Sequence, residues 1–257
     1  MVQTQVQPLS RRDRVRAATT QEILQTARRL LEEEGPAAIS LRAIAREMGM
    51  TAPALYRYFG SHEDLLRGVV GNIFGDLTEH VRGAIHTAAD AYGAELSPED
   101  MMSVKLIAGC REFRKWAIEH VPEFGMVFGS KLPGIEIELL HTDHGDECGV
   151  KFGQVFLELF GELFRKRPFP IPADDEIAPT MRSQLARYRD LIESDLPLGA
   201  LQTFLRCWVL LYGSVGLEIS GQLRFALDDA APMFELVLND LAQMVGLNYR
   251  VPPPGRN

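Results

Sequence analysis

Gly49 lies between two short segments that each carry a helix-start signal and a one-sided apolar pattern, in the stretch SLRAIAREMGMTAPALYRYFGSH over residues 40–62. Ser40 can accept a backbone N–H at a helix N-terminus, and Ile39, Leu41, Ile44, Ala45 and Met48 fall on one face at intervals of three and four. Gly49 ends that helix, because a residue tolerant of positive φ closes it at little cost. Thr51 can cap a second helix, and Pro53 suits its first turn, where a missing N–H loses no partner. Leu55 and Phe59 give the second helix an inward face, which leaves Tyr56, Arg57 and Tyr58 for other work. Ser61 with Asp64 forms a capping-box pattern for a longer helix beginning near His62.

Two short helices joined by a tight turn match the layout of a helix-turn-helix. A helical hairpin that serves packing alone would place long charged side chains on its exposed face. Here the second helix offers Ala52, Pro53, Ala54 and Tyr56. Small groups let a backbone approach closely, and a tyrosine can donate a hydrogen bond or touch a thymine methyl, so this face suits the major groove of duplex DNA.

The segment from about Thr20 to Leu66 resembles the N-terminal domain of the TetR family of transcriptional regulators, through ISLRAIAREMGM, then APALYRYF, then SHEDLL. The resemblance implies a homodimer that binds a double-stranded DNA operator, with an α-helical C-terminal domain that takes a small-molecule effector. It places Arg42 where a base edge or phosphate is contacted. It assigns Thr51, Ala52, Pro53, Ala54 and Tyr56 to the reading helix, and Tyr58 to a backbone contact; Arg57, between the two tyrosines, completes the candidate DNA-binding set. The family usually has lysine where this chain has His62, which is then expected to face phosphate and to bind it strongly only when protonated.

The whole chain carries a net charge of −8, which at first argues against a nucleic-acid partner. Division by region removes the objection: residues 1–70 hold ten Arg and no Lys against eight acids, a net of +2, and the remainder carries −10. Arg11, Arg12, Arg14 and Arg16 lie within residues 1–17, expected to be a disordered basic arm that either solubilises the chain or tracks the DNA backbone. The domain plan that follows is arm 1–17, DNA-binding domain 18–66, ligand-binding and dimerisation domain 67–248, and a disordered tail 249–257.

The body reads as helix throughout, so the expected fold is all-α: a three-helix reader plus a larger α-helical bundle. Thr19 to Glu22 fits a capping box for the first helix, and the helix from His62 is expected to reach about Ala89. Ser97, Pro98 and Asp100 mark another start, leading through His120. Residues 129–148 break periodicity and read as a mobile loop; helices near 149–166, 175–193, 197–222 and 230–245 follow. Trp208 to Glu218, WVLLYGSVGLE, resembles a C-terminal domain type in TetR-like regulators with Trp-x3-His-Gly-x3-Leu-Glu, except that Tyr212 replaces the histidine. Gly213, Ser214 and Gly216 thin one helical face there. With the helix at 230–245 it is expected to form a four-helix dimer interface, an intramolecular core being the alternative.

Phe113, Trp116, Phe128, Phe152, Phe156, Trp208 and Tyr212 are the candidate lining of an apolar effector cavity, for a hydrophobic or amphipathic molecule of low mass. Arg111, Glu112, Arg114 and Glu158 are available to orient a polar group, or else are solvated helix faces. His141, Asp143, His144, Asp146, Glu147 and Cys148 contain donors enough for a metal, which makes a metal- or thiol-responsive sensor the alternative function, but their spacing matches no familiar site. No catalytic residue, cofactor or metal is therefore assigned. Cys110, Cys148 and Cys207 are odd in number and lack a CxxC, so no disulfide framework is indicated. No apolar run approaches membrane-spanning length and the N-terminus lacks a signal-peptide core, so the expected compartment is the cytoplasm and no membrane partner is expected.

Overall fold

The computed structural model describes residues 10–92, 96–129 and 143–250, and these are helical with no strand among the described residues. Ten α-helices follow in order: α1 Arg11–Glu34, α2 Leu41–Glu47, α3 Ala52–Leu55, α4 His62–Tyr92, α5 Pro98–Glu119, α6 Val121–Phe128, α7 Asp143–Lys166, α8 Pro179–Leu191, α9 Leu198–Ile219 and α10 Ala231–Met244. The chain divides into two compact units. Among the described residues, one takes 10–74 together with 122–129 and 143–148, and the other takes 75–92, 96–121 and 149–250. The unit that contains the reader is thus larger than the expected 18–66, because it includes nearly all of α6.

Within the first unit, local caps set the helix limits. Ser10 Oγ accepts the Asp13 N–H at 3.2 Å, so α1 begins at Arg11 rather than at the Thr19–Glu22 box. Residues 11–17, expected to be disordered, form the first turns of that helix; residues 1–9 lie outside the described residues. Gly35, at φ 85°, ends α1, and Gly49, at φ 62°, follows α2. Ser40 Oγ accepts the Ala43 N–H at 3.2 Å, and Ser61 Oγ accepts that of Asp64 at 3.0 Å. Thr51 occupies the cap position of α3, but its hydroxyl makes no cap bond; its carbonyl accepts from Ala54 and Leu55 instead. Ile23, Ala27, Leu30 and Leu31 of α1, Ile44 of α2, Leu55 of α3 and Leu65 and Val69 of α4 are buried together as the apolar core of this unit.

A buried ion pair joins α1 to α6 inside the same unit. Glu123 is 0% exposed, and both its oxygens accept from Arg28, Nε at 2.5 Å and Nη2 at 3.0 Å. Arg28 Nη1 also donates to Asn72 Oδ1 of α4 at 3.2 Å. The sequence reading overlooked these residues. The available signal was a charge at the edge of each apolar stretch: Arg28 beside Leu24, Ala27 and Leu31, and Glu123 as the lone acid in VPEFGMVF.

In the second unit, α9 packs against α5, α8 and α10. Ser97 Oγ caps α5 by accepting the Asp100 N–H at 3.1 Å. The prolines after α7 stop it at Lys166, and the linker then packs down: Phe169 is buried edge-on against Phe160 and Phe164 at 5.3 and 5.2 Å. Bidentate pairs link elements far apart in sequence: Arg114–Glu218 at 2.7 and 2.5 Å, Arg111–Glu235 at 3.0 and 2.6 Å, and Arg250–Asp100 at 2.9 and 3.2 Å. Arg111 also donates to the Tyr249 hydroxyl at 3.0 Å. Residues 249 and 250, expected in a disordered tail, are therefore fixed to α5, while 251–257 lie outside the described residues. Among the described residues one helix, α9, is long and apolar enough by length and composition to cross a membrane, contrary to the sequence reading. Its packing against three helices and its Glu218–Arg114 pair place it as the central helix of this unit.

Removal of one partner from a buried ion pair leaves the other uncompensated, so Glu123→Ala is expected to cost about 3 kcal/mol in urea unfolding. Arg28→Met combined with Glu123→Leu should recover most of that loss, because an apolar pair of similar volume carries no desolvation cost. A Glu123→Ala variant as stable as wild type would contradict the pairing.

Candidate nucleic-acid interface

The reading segment is anchored from inside. Leu55 is fully buried and Phe59 nearly so, which turns the residues between them outward. Regular α-helix covers Ala52–Leu55 only, and the chain continues as a turn held by Tyr58 N–H to Leu55 at 2.9 Å and Phe59 N–H to Leu55 at 3.2 Å. Phe59 rests on Gly68 of α4; a Cβ built there would lie 2.7 Å from its ring. The missing side chain on α4 is thus what lets the aromatic anchor sit close.

Tyr56 is 51% exposed. Thr51, Pro53 and Arg57 are also exposed, Ala52 and Ala54 are half-buried, and Arg42 stands exposed on α2. The structure therefore brings the sequence-designated set onto neighbouring helices, with small residues beside one projecting aromatic. Tyr58 is half-buried and lies under the Arg16 guanidinium, 5.7 Å from the ring centroid. Arg16 Nη2 also donates to the Arg57 carbonyl at 3.1 Å. His62 is exposed at the start of α4, but its Nε2 donates to the Ile39 carbonyl at 2.8 Å. That nitrogen is committed to bracing α4 against the segment before α2.

The candidate effector residues do not form one large cavity. Phe113, Phe152, Phe156 and Trp208 form a packed aromatic cluster, with centroid separations of 5.8 Å for Phe113–Phe152 and Phe113–Trp208 and 6.4 Å for Phe156–Trp208. Tyr212 stacks on Trp208 at 6.1 Å and 9°, and burial raises its phenol pKa. Trp116 is fully buried and stacks on His120 at 4.9 Å. Phe128 belongs to the other unit, edge-on to Phe74 at 5.5 Å. The void beside the cluster measures about 40 Å³ and is lined by Leu106, Cys110, Phe156, Cys207, Trp208 and Leu211 among others. That is room for about one water-sized group. A second, open groove of about 1480 Å³ runs along α4, α5 and α10, with Ala84, Ala88 and Ala108 in its lining and Glu79, His80, Glu112 and Glu235 among its polar residues. The sequence reading missed it, because alanines spaced on two helices carry no chemical signal of their own. Arg111 and Arg114, offered as ligand-orienting groups, are engaged by Glu235 and Glu218.

The histidine-rich stretch is placed only in part. Residues 143–148, expected in a mobile loop, begin α7, and His141 lies outside the described residues. Cys148 is half-buried in the first unit, its Sγ 3.6 Å from where a Cβ on Gly71 would be. Among the described residues, no group of three or more His, Cys, Asp or Glu could hold a metal ion.

Burial displaces the two cavity thiols upward: Cys207 to about 11, and Cys110 further, with the neighbouring Cys207 adding to the burial effect. A thiol displaced to 11 is only about one part in a thousand thiolate at pH 8. Labelling of the native protein with a disulfide reagent should therefore reach Cys148 well before Cys110 and Cys207, which become reactive in denaturant. Equal rapid labelling of all three would contradict the packed cluster.

Comparison with known proteins agrees with this geometry. Residues 23–69 match the family described as bacterial regulatory proteins, tetR family, and residues 106–241 match the tetracyclin repressor-like C-terminal domain. The chain is 30% identical over 205 residues to the HTH-type transcriptional regulators Rv1816 of Mycobacterium tuberculosis and Mb1846 of Mycobacterium bovis, covering 78% of this chain and 80% of each relative. Among solved structures, a regulatory protein designated SCO4313 aligns with a TM-score of 0.66 and 25% identity, over 91% of this chain and 100% of that one. A protein of unknown function from Rhodococcus sp. RHA1 shares the fold, with a TM-score of 0.57 at 18% identity, over 95% of this chain and 98% of that one. With one family model matching more than half of its length and relatives 30% identical over most of it, the chain belongs to the TetR family of transcriptional regulators.

Proposed function

We propose that this regulator is a dimeric, ligand-responsive repressor that binds a palindromic operator, acts in the cytoplasm and carries out no catalysis. The observation that carries the reading is the face on which exposed Pro53 and Tyr56 stand beside half-buried Ala52 and Ala54, held outward by buried Leu55 and Phe59. In the major groove, the small residues permit close approach and Tyr56 reads a base edge or thymine methyl; Arg42, Thr51, Arg57 and Tyr58 supply contacts around it, and His62 offers phosphate its remaining ring nitrogen.

Dimerisation through α9 and α10 is supported by what those helices leave uncovered. Val209 is 66% exposed and Leu236 59%, and Leu210, Leu217 and Met233 are exposed as well. Nothing lies within 4 Å of where a Cβ on Gly213 or Gly216 would be, so another helix can lie close along that line. A two-fold axis through such a face sets two readers on successive major grooves, about 34–36 Å apart. A small hydrophobic or amphipathic effector then weakens operator binding by binding better to the arrangement in which that spacing is lost. The open groove along α4, α5 and α10 is roomy enough for such a molecule, whereas the void beside Trp208 is not.

The test is selection from a pool of random duplex DNA with Tyr56→Ala as the control. A palindrome enriched by the wild type alone is the expected result, and equal enrichment by both proteins would remove Tyr56 from the reading face. Leu236→Asp should shift the protein to monomer in sedimentation and weaken operator binding at least tenfold, since one reader loses the second half-site. A dimer unaffected by Leu236→Asp would place the interface elsewhere.

A further inference from the structure

We propose that the N-terminal turns of α1 form a rigid phosphate-binding extension of the DNA interface, with Arg16 as the positioning residue that holds them in register with the reading segment. This rests on the DNA-reading function proposed above. Ser10 caps α1 and continues it as regular helix through Arg11, Arg12, Asp13, Arg14, Val15 and Arg16, all of them exposed. Residue side chains one turn apart share a helix face, so Arg12 stands on the face from which Arg16 reaches the reader.

Arg16 makes two contacts there. Its Nη2 donates to the Arg57 carbonyl at 3.1 Å, and its guanidinium lies over the Tyr58 ring at 5.7 Å from the centroid. These contacts tie α1 to the end of a helix too short to hold its own last turn. A planar guanidinium can donate sideways to a carbonyl while lying flat on a ring; an ammonium can donate to the carbonyl but has no plane to stack on the ring. Arg12 and Arg11 are exposed, and neither makes an ion pair among the described residues. A helix places their charges at a fixed offset from Tyr56, where a disordered arm would spread them. The partner that fits a short row of arginines at fixed offset from a groove-reading segment is the sugar-phosphate backbone flanking the bases that are read.

The full-length protein is tested against its selected operator and a scrambled duplex, from about 50 to 200 mM salt, for wild type, Arg12→Ala, Arg16→Ala, Arg16→Gln and Arg16→Lys, with Tyr56→Ala alongside. Arg12→Ala should reduce the magnitude of the log–log salt slope by about 0.9 and weaken both duplexes alike, as expected for one lost phosphate contact. Arg16→Ala should lower the preference for operator over scrambled duplex several-fold, with Arg16→Gln and Arg16→Lys each restoring only the part carried by the Arg57 carbonyl. An unchanged slope for Arg12→Ala would overturn the phosphate role, and full recovery by Arg16→Lys would overturn the positioning role. Matched helicity and melting temperature across the Arg16 variants exclude simple unfolding. Absence of any operator preference in the wild type, equal to Tyr56→Ala, would instead overturn the DNA-reading function itself, so the two failures are separable.

Discussion

A helix of one turn cannot persist on its own, because the cost of nucleation exceeds what so few hydrogen bonds return. The reading surface proposed for this protein is such a helix. Its geometry therefore depends on the burial of Leu55 and Phe59 and on the absence of a side chain at Gly68 that lets Phe59 approach α4. Arg16 adds a second attachment from α1, on the carbonyl of Arg57 and the ring of Tyr58. Between these supports the outward residues need only be small and polar enough for a groove. The same logic explains why a reading face poor in charge can sit in a region of net positive charge: attraction and recognition are carried by different residues.

Charges that the chain places among apolar residues serve as long-range fasteners. Arg28 and Glu123 are 95 positions apart and meet where Glu123 has no access to solvent, and Arg114–Glu218 and Arg111–Glu235 bring together elements more than 100 residues apart. Bidentate geometry makes such pairs directional, so they favour one registry of the helices over its neighbours. In the first unit the pair adds α6, which follows the matched reader domain in sequence, to the unit that contains the reader. The aromatic residues of the body meet a different need. They fill space, leaving a void of about 40 Å³, and so rigidify the centre rather than hollowing it.

Membership of the TetR family accounts for the division between a reader and a helical body, and Tyr212 marks a departure within it. A histidine at that position would offer a titratable ring; the tyrosine instead stacks on Trp208, and burial keeps its phenol protonated. The effector recognition proposed above then draws on groups elsewhere, and the groove along α4, α5 and α10 has both an alanine lining and charged residues.

Features set by residues a few positions apart were legible in the sequence. The Ser40, Ser61 and Ser97 caps, the Gly49 stop, the inward Leu55 and Phe59, and the helical period of α4, α5, α8, α9, α10 and most of α7 all follow from hydrogen bonds and side-chain spacing within one or two turns. The Thr19–Glu22 box failed as a start signal because Ser10 offers an earlier cap, and uninterrupted helix formers between them leave nothing to stop propagation. What only the tertiary structure decided is which side chains meet across long separations: that Arg111 pairs with Glu235 and Arg114 with Glu218, that Arg16 clasps the reader, and that His62 braces Ile39. The physical reason is that helix formation is governed by contacts within about four residues, whereas the choice of partner for a charge or an aromatic ring is fixed only when whole helices pack.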